Sequence, residues 1–159
     1  MVFSRFNFWA VAVALWIAVI LFSSTSLAAE WSEQAFHFCM RLLFGHVGPE
    51  DRSYGLLHLL ADKGFHVAMF LILAVLLWQL IAKPHWKIPR ILLAGAVVGS
   101  SSEFLQRFFP GRDPAVTDVL INIGGTAVGI IVILAAINLM RPHSPQAEPV
   151  SYALAEESD

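Results

Sequence analysis

The chain has little cysteine and little charge. The first shortage excludes certain cross-links and metal sites, and the second argues against a soluble globular domain. Its single cysteine, Cys39, excludes an intrachain disulfide and any metal knuckle built from several cysteines. Charged residues make up 14% of the 159 residues, whereas 57% are hydrophobic and the mean hydropathy is +0.68. These values lie outside the range of soluble globular domains. We therefore predict one membrane-embedded domain.

The chain also has no basic face. Its Lys and Arg residues are scattered and its formal net charge is −2. A nucleic-acid-binding protein would concentrate its cations on one surface. We predict no nucleic-acid partner, and nothing in the sequence calls for a cofactor.

Apolar runs recur along the chain, and each approaches the roughly 20 residues that a helix needs to span a bilayer. They lack the alternation of barrel strands, so each should be a helix. The first run has an alternative interpretation, because Arg5 and Ser26-Leu27-Ala28 resemble a signal peptide with its cleavage site. Its length favours an uncleaved helix. The prediction is an all-α integral membrane protein with four transmembrane helices at about 6–27, 55–82, 88–107 and 116–140.

Two further segments complete the predicted layout. Aromatic and charged residues mix at about 31–44, a pattern typical of a helix in the membrane interface. The connection between the second and third spans carries Lys83, His85, Lys87 and Arg90 without an acid, which predicts a cytoplasmic loop. The interfacial helix should then be extracytoplasmic and both termini cytoplasmic. We predict a membrane domain at 1–141 and a disordered cytoplasmic tail at 142–159.

Polar residues gather at the ends of three predicted spans. Antiparallel crossing brings the start of the second span, the end of the third and the start of the fourth to one side of the membrane, whichever side that is. Charge at such a position is usually paired and functional. The candidate ligand-binding residues are Lys63, His66, Glu103, Gln106, Arg112, Asp118 and Asn122.

Each of these residues has a structural interpretation beside the functional one. Glu103, Gln106 and Asn122 can bond between helices. Lys63 can extend to the headgroups. Arg112, after the Pro110-Gly111 turn, can bind an anion or pair with Glu103 or Asp118.

Glycines continue the polar stripes into the membrane. Gly95 and Gly99 lead toward Glu103, and Gly125 and Gly129 follow Asn122 at helical spacing. Small residues at this spacing predict direct packing of the third and fourth spans against each other.

A metal site has only weak support in the sequence. His58, Asp62 and His66 are four residues apart and would lie on one helical face. No metal-binding signature accompanies them, so no metal is predicted.

The polar residues also carry a family resemblance. Asp62-Lys63-x-x-His66, Glu103-x-x-Gln106, Pro110-Gly111-Arg112, Asp118 and Asn122-x-x-Gly125 resemble the VanZ-like family of bacterial membrane proteins over about 62–140. The resemblance implies a small multi-pass protein of the bacterial cytoplasmic membrane. It implies similarity to the accessory factor linked to low-level resistance to the glycopeptide teicoplanin. Asp113, beside Arg112, departs from the small residue usual there.

Two functions from different classes fit the sequence. In the first, an outward-facing polar cluster binds an envelope lipid, a lipid-linked wall precursor or an amphiphilic drug, and homo-oligomers are possible. In the second, the protein is a membrane enzyme on a lipid-linked phosphate substrate, with Glu103, or His66, as candidate general acid or base. We identify no nucleophile among Ser100 to Ser102, because serines in membrane helices usually form hydrogen bonds within the bundle. A transporter is less favoured, because four helices are few for one protomer.

Overall fold

The computed structural model describes residues 5–45, 52–82 and 84–141. Every regular element in these ranges is helical. The elements are α1 (Arg5–Ser23), α2 (Ser26–Phe44), α3 (Arg52–Leu80), a short 3₁₀ turn (Pro84–Trp86), α4 (Lys87–Gln106) and α5 (Val116–Leu139). The predicted disordered tail lies outside the described residues.

Helices α1, α3, α4 and α5 are each long and apolar enough to cross a membrane. They correspond to the predicted first, second, third and fourth spans. For the described residues, the prediction of an all-α structure with four helices able to span a membrane is confirmed. Helix α3 is the longest, with 29 residues, or about 43 Å at 1.5 Å per residue. It therefore exceeds the roughly 30 Å of the hydrocarbon core by about two turns.

The boundary between α1 and α2 differs from the prediction. The first span was expected to reach residue 27, but α1 ends at Ser23 and the chain turns at Ser24 and Thr25. Thr25 is extended, and its hydroxyl accepts a 3.3 Å hydrogen bond from the Ala28 amide. Threonine is a favoured N-cap because it satisfies an otherwise free helix amide. A polar cap inside a largely apolar stretch therefore starts a second helix there.

Helix α2 includes the segment expected to lie in the interface. Trp31, Phe38 and Leu42 are exposed on it, together with Glu33. This surface suits a position between headgroups and acyl chains. Its interfacial and extracytoplasmic placement stays a prediction.

The core of the bundle is built around α3. Phe70, Leu73 and Ala74 are at most 1% exposed, and Ile20 of α1 and Ile91 of α4 pack with them. Outward-facing apolar side chains are abundant on the spanning helices, as expected for surfaces that contact lipid.

An additional hydrogen bond joins α1 to α3. The Trp16 indole N–H donates to the Met69 carbonyl at 2.9 Å. Burial of Val13 and Ile20 adds to this contact. Helix α1 thus packs directly against α3.

Candidate functional site

Helices α3 and α5 meet at an ion pair. The Lys63 ammonium donates to Asp118 Oδ1 at 2.7 Å and lies 3.0 Å from Asp62 Oδ2. The Asp118 side chain is only 10% exposed, whereas that of Lys63 is 32% exposed. Asp118 is also in the first turn of α5, where the helix dipole favours a negative charge. Lys63 is thus engaged by carboxylates rather than free in the headgroup region.

One turn further into the bundle, a second pair links the same helices. His66 Nδ1 lies 3.0 Å from the Asn122 side-chain oxygen, and Asn122 is fully buried. For that oxygen to accept, Nδ1 must carry the proton, which leaves a lone pair on Nε2 of the neutral ring. The Asn122 side-chain nitrogen is buried and has no hydrogen-bond partner.

Glu103 comes from the end of α4 and is 5% exposed. Its Oε2 accepts a 3.2 Å bond from the Ala115 amide, and its Oε1 accepts a 3.4 Å bond from the Gln106 side chain. The connection to Ala115 reverses at Gly111, whose φ of 76° is a left-handed conformation that glycine adopts readily. This turn carries the start of α5 back to Glu103.

The middle of α3, the end of α4 and the start of α5 therefore bring an imidazole and two carboxylates together. His66, Glu103 and Asp118 each offer one ligand atom, and these atoms lie within 4.8 Å of one another. The possible metal ligands considered from the sequence are a different set, namely His58, Asp62 and His66. These three residues do not form such a group, and His58 instead lies edge-on to the Phe36 ring. The group of potential ligand atoms therefore comes from three helices, unlike the single-helix set considered from the sequence.

Arg112 is the cation at the edge of this cluster. One terminal nitrogen lies 3.5 Å from the Ser23 carbonyl, and its buried Nε has no hydrogen-bond partner. Among the ion pairs of the described residues, none includes Arg112. The alternative in which Arg112 pairs with Glu103 or Asp118 is therefore not realised.

Two adjoining cavities lie under α2, and Arg112 lines both. The larger is about 300 Å³ and also includes Glu33 and Gly111. The smaller, about 190 Å³, includes Phe22, Trp31 and His66. Both are also lined by Ser32, Asp62 and Phe65. We call the two cavities together the α2 cleft.

A third cavity, of about 330 Å³, is lined by Glu103. Ser100, Arg107 and Val116 also contribute to its wall. Glu103 therefore lines a mainly apolar recess and does not line the α2 cleft.

The glycine stripes are at close approaches, but the partners differ from the prediction. Gly95 and Gly99 of α4 face Thr126 and Asn122 of α5, as expected. Gly125 and Gly129 instead face the backbone of α3, at Val67 and Leu71. One face of α5 is wide enough to contact both α3 and α4. Helical spacing alone therefore does not predict which of these helices each residue contacts.

Some polar contacts of the site were not found from the sequence. Ser24 and Ser102, both at most 3% exposed, share a 2.7 Å hydrogen bond between α4 and the α1–α2 turn. Ser26 donates to the Pro110 carbonyl at 2.8 Å and connects the start of α2 to the Arg112 turn. Thr126, which is fully buried, continues the Asn122 stripe by one turn and was recognisable from that spacing.

Four spanning helices around a buried polar cluster define a multi-pass α-helical membrane protein with a candidate site at one end of the bundle. The VanZ/LLP1 family model matches residues 8–139, which is most of the chain. The chain belongs to the VanZ/LLP1 family, in agreement with the resemblance seen in the sequence. Comparison with curated proteins and with solved structures found no match.

Proposed function

We propose that this VanZ-family protein binds the anionic headgroup of an amphiphile in the α2 cleft, with Arg112 as the anion-binding group. The amphiphile is an envelope lipid, a lipid-linked wall precursor or an amphiphilic drug. The main observation that supports this proposal is the position of Arg112. It lines both cavities of the cleft, and no carboxylate of the described residues pairs with it.

Charge distribution supports this role for Arg112 rather than for Lys63. Asp62 and Asp118 neutralise the ammonium of Lys63. The guanidinium has a buried Nε without a partner, and leaving such a donor unsatisfied costs about 1 to 3 kcal/mol. A phosphate or carboxylate matches the planar donor geometry of arginine.

The other walls of the cleft suit the rest of an amphiphile. Phe22, Trp31 and Phe65 supply apolar surface where an acyl chain or aglycone would continue. Glu33 and Asp62 are acidic groups in the larger cavity. They favour a headgroup with a single anionic group, or one that also carries a cation, over a multiply charged anion.

The test is purification from native membrane followed by lipid mass spectrometry. The wild-type chain should retain an anionic amphiphile that the Arg112→Ala variant loses. The Arg90→Ala variant should retain it, because Arg90 is an exposed residue in the first turn of α4, at the opposite end of the bundle. Thermal-shift titrations with an anionic phospholipid, a lipid-linked precursor and teicoplanin then distinguish the sources. Equal lipid profiles for all three proteins would contradict the proposal.

The proposal extends to glycopeptide resistance. If the cleft binds teicoplanin, expression of the chain in a susceptible bacterium should raise the inhibitory concentration of the drug. The Arg112→Ala variant should abolish that increase at equal protein level. Unchanged susceptibility with the wild-type chain would restrict the ligand to lipids or precursors.

We also propose that the cleft opens on the extracytoplasmic side of the bacterial cytoplasmic membrane, with both termini inside. The cationic residues Lys87 and Arg90 in the first turn of α4, at the opposite end of the bundle, support this orientation. Cys39 of α2 is exposed and unique. It should react with a membrane-impermeant thiol reagent in intact cells, and labelling only after lysis would reverse the orientation.

One observation favours the enzymatic alternative. The buried Glu103 lies within 4.8 Å of ligand atoms of His66 and Asp118, so proton donors and acceptors face one another beside the α2 cleft. Glu103 and His66 can act as general acid and base on a lipid-linked phosphate. Glu103→Gln should then remove turnover of an added lipid substrate while the protein stays folded. Loss of folding without any separable activity would favour a structural glutamate.

The serines next to Glu103 do not strengthen that alternative. Ser102 is bonded to Ser24, and Ser101 donates to the Val97 carbonyl of its own helix at 2.8 Å. Both hydroxyls thus make the bonds that serines in membrane helices usually make.

A further inference from the structure

His66, Glu103 and Asp118 have the composition and spacing of a divalent-metal site. Their ligand atoms lie within 4.8 Å of one another, and each residue comes from a different helix. Bound to one ion at roughly 2.0 to 2.2 Å, such atoms are about 3 to 3.5 Å apart. A small inward shift of the side chains is enough to reach that separation.

Each of the three residues is held by a further partner. Asn122 bonds the His66 ring, Lys63 bonds one oxygen of Asp118, and the Ala115 amide bonds Glu103. Partners of this kind orient metal ligands and fix the tautomer of a ligating histidine. With Nδ1–H directed at the Asn122 oxygen, the His66 Nε2 lone pair is available to a metal ion.

The charge balance of the cluster also calls for a cation. Glu103 and Asp118 are 5% and 7% exposed, and Lys63 is the one cation paired with either of them among the described residues. Buried carboxylates persist as ions when they are paired or coordinate a metal. A divalent ion supplies the missing positive charge while His66 stays neutral.

We propose that His66, Glu103 and Asp118 bind one divalent transition-metal ion of the Zn²⁺ or Mn²⁺ class. Imidazole and carboxylate together suit these ions. Three protein ligands leave at least one coordination position for water or for an oxygen of a bound headgroup. This site goes beyond the proposed amphiphile cleft and does not rest on it.

The test uses full-length protein in detergent, stripped with a chelator and dialysed against Zn²⁺ or Mn²⁺. Wild-type protein should take up one ion per chain, and bound Mn²⁺ should show magnetic coupling to an imidazole nitrogen. His66→Gln, Glu103→Gln and Asp118→Asn should each abolish the high-affinity site. Asn122→Leu, which removes only the orienting partner, should weaken binding by about 10- to 100-fold.

Matched controls exist for both ligand types. His85→Gln changes a histidine in the turn between α3 and α4, at the opposite end of the bundle. Asp113→Asn changes an exposed carboxylate near the cluster. Both should bind metal as the wild type does. Arg112→Ala should also keep the metal while it loses the amphiphile, so each proposal can fail without the other.

Two results would overturn the metal site. One is folded wild-type protein that takes up no stoichiometric ion. The other is a folded His66→Gln variant with unchanged affinity and nitrogen coupling. If the ligand variants do not fold, the wild-type stoichiometry and nitrogen coupling decide the question, because coupling to an imidazole nitrogen reports a coordinated histidine directly.

Discussion

Helix α5 contacts α3 and α4 in opposite ways. Toward α3 it presents Gly125 and Gly129, and the backbone of α3 fills the space above them. Toward α4 it presents Asn122 and Thr126, and these side chains fill the space above Gly95 and Gly99. Glycine therefore allows two backbones to approach in the first contact, whereas in the second it makes room for buried polar side chains. The first contact should control stability, and the second should control the site.

The largest expected effect is at the α5–α3 contact. A Cβ added at Gly125 would lie 2.7 Å from the Val67 carbonyl oxygen and 2.9 Å from its Cα. Backbone atoms cannot move aside as a flexible side chain can, so Gly125→Ala should cost about 3 kcal/mol, the upper end for overpacking. Thermal unfolding in detergent measures the loss.

Gly124→Ala is the matched control, because nothing lies within 4 Å of a Cβ at that neighbouring position. It should leave the unfolding temperature unchanged or slightly higher, since alanine favours helix over glycine by about 0.8 to 1.0 kcal/mol. Equal destabilisation by the two substitutions would contradict the distinction between the two faces of α5.

The next largest loss of stability is expected at the Lys63–Asp118 ion pair, which lies at one end of the α5–α3 contact. Lys63→Met leaves Asp118 mostly buried without its cation. Removing one partner of a fully buried pair costs about 3 to 5 kcal/mol. Because the Lys63 side chain is 32% exposed, we expect about 2 kcal/mol.

A double variant separates charge from packing. Lys63→Met with Asp118→Leu should recover most of the lost stability, because removal of both charges is often close to neutral. Lys87→Met is the control at the other end of the bundle, where the ammonium lies 4.5 Å from the Trp78 ring centroid. It should cost about 0.5 to 1 kcal/mol. A larger loss from Lys87→Met than from Lys63→Met would contradict this order.

The two contacts also show what the sequence can predict. Spans were recognisable from length and hydropathy, and span order alone placed Lys63, Glu103 and Asp118 at one end. Spacing assigned Gly125 to the right face of its helix but to the wrong neighbour. It likewise grouped His66 with His58 on α3, whereas the structure groups it with carboxylates from α4 and α5. Local spacing describes one helix, and the partners depend on how the helices are rotated in the bundle.

The α1–α2 boundary was missed for a different reason. Ser24 and Thr25 interrupt a mostly apolar stretch only briefly, so hydropathy extended α1 beyond them. Their roles become visible only with the Ala28 amide and Ser102 in place. A cap and an interhelical bond are specific contacts, and composition averages over them.

A smaller effect on stability is expected at the α5–α4 contact. A Cβ at Gly99 would lie 3.0 Å from Asn122 Cβ and 3.3 Å from its side-chain nitrogen. The side-chain nitrogen can move aside, and the Cβ contact needs α5 to shift by only a few tenths of an ångström, so Gly99→Ala should cost only about 1 kcal/mol. The shift would disturb the bond to His66, and metal affinity should fall by about 10-fold. Gly124→Ala should keep both properties, and a stability loss without any change in affinity would contradict this division.

The smallest effect should come from the Thr126 hydroxyl. It donates to the Asn122 carbonyl of its own helix at 2.9 Å. That carbonyl also accepts the regular helical bond, so the hydroxyl satisfies a group that is already bonded. Thr126→Val keeps the side-chain shape over Gly95 and should cost no more than about 0.6 kcal/mol, the average for a polar contact in a membrane bundle. Thr117→Val, at an exposed position of α5, provides the baseline. A loss above about 2 kcal/mol at Thr126 would mean that the α5–α4 contact depends on hydroxyl bonding rather than on the fit of side chains over glycine.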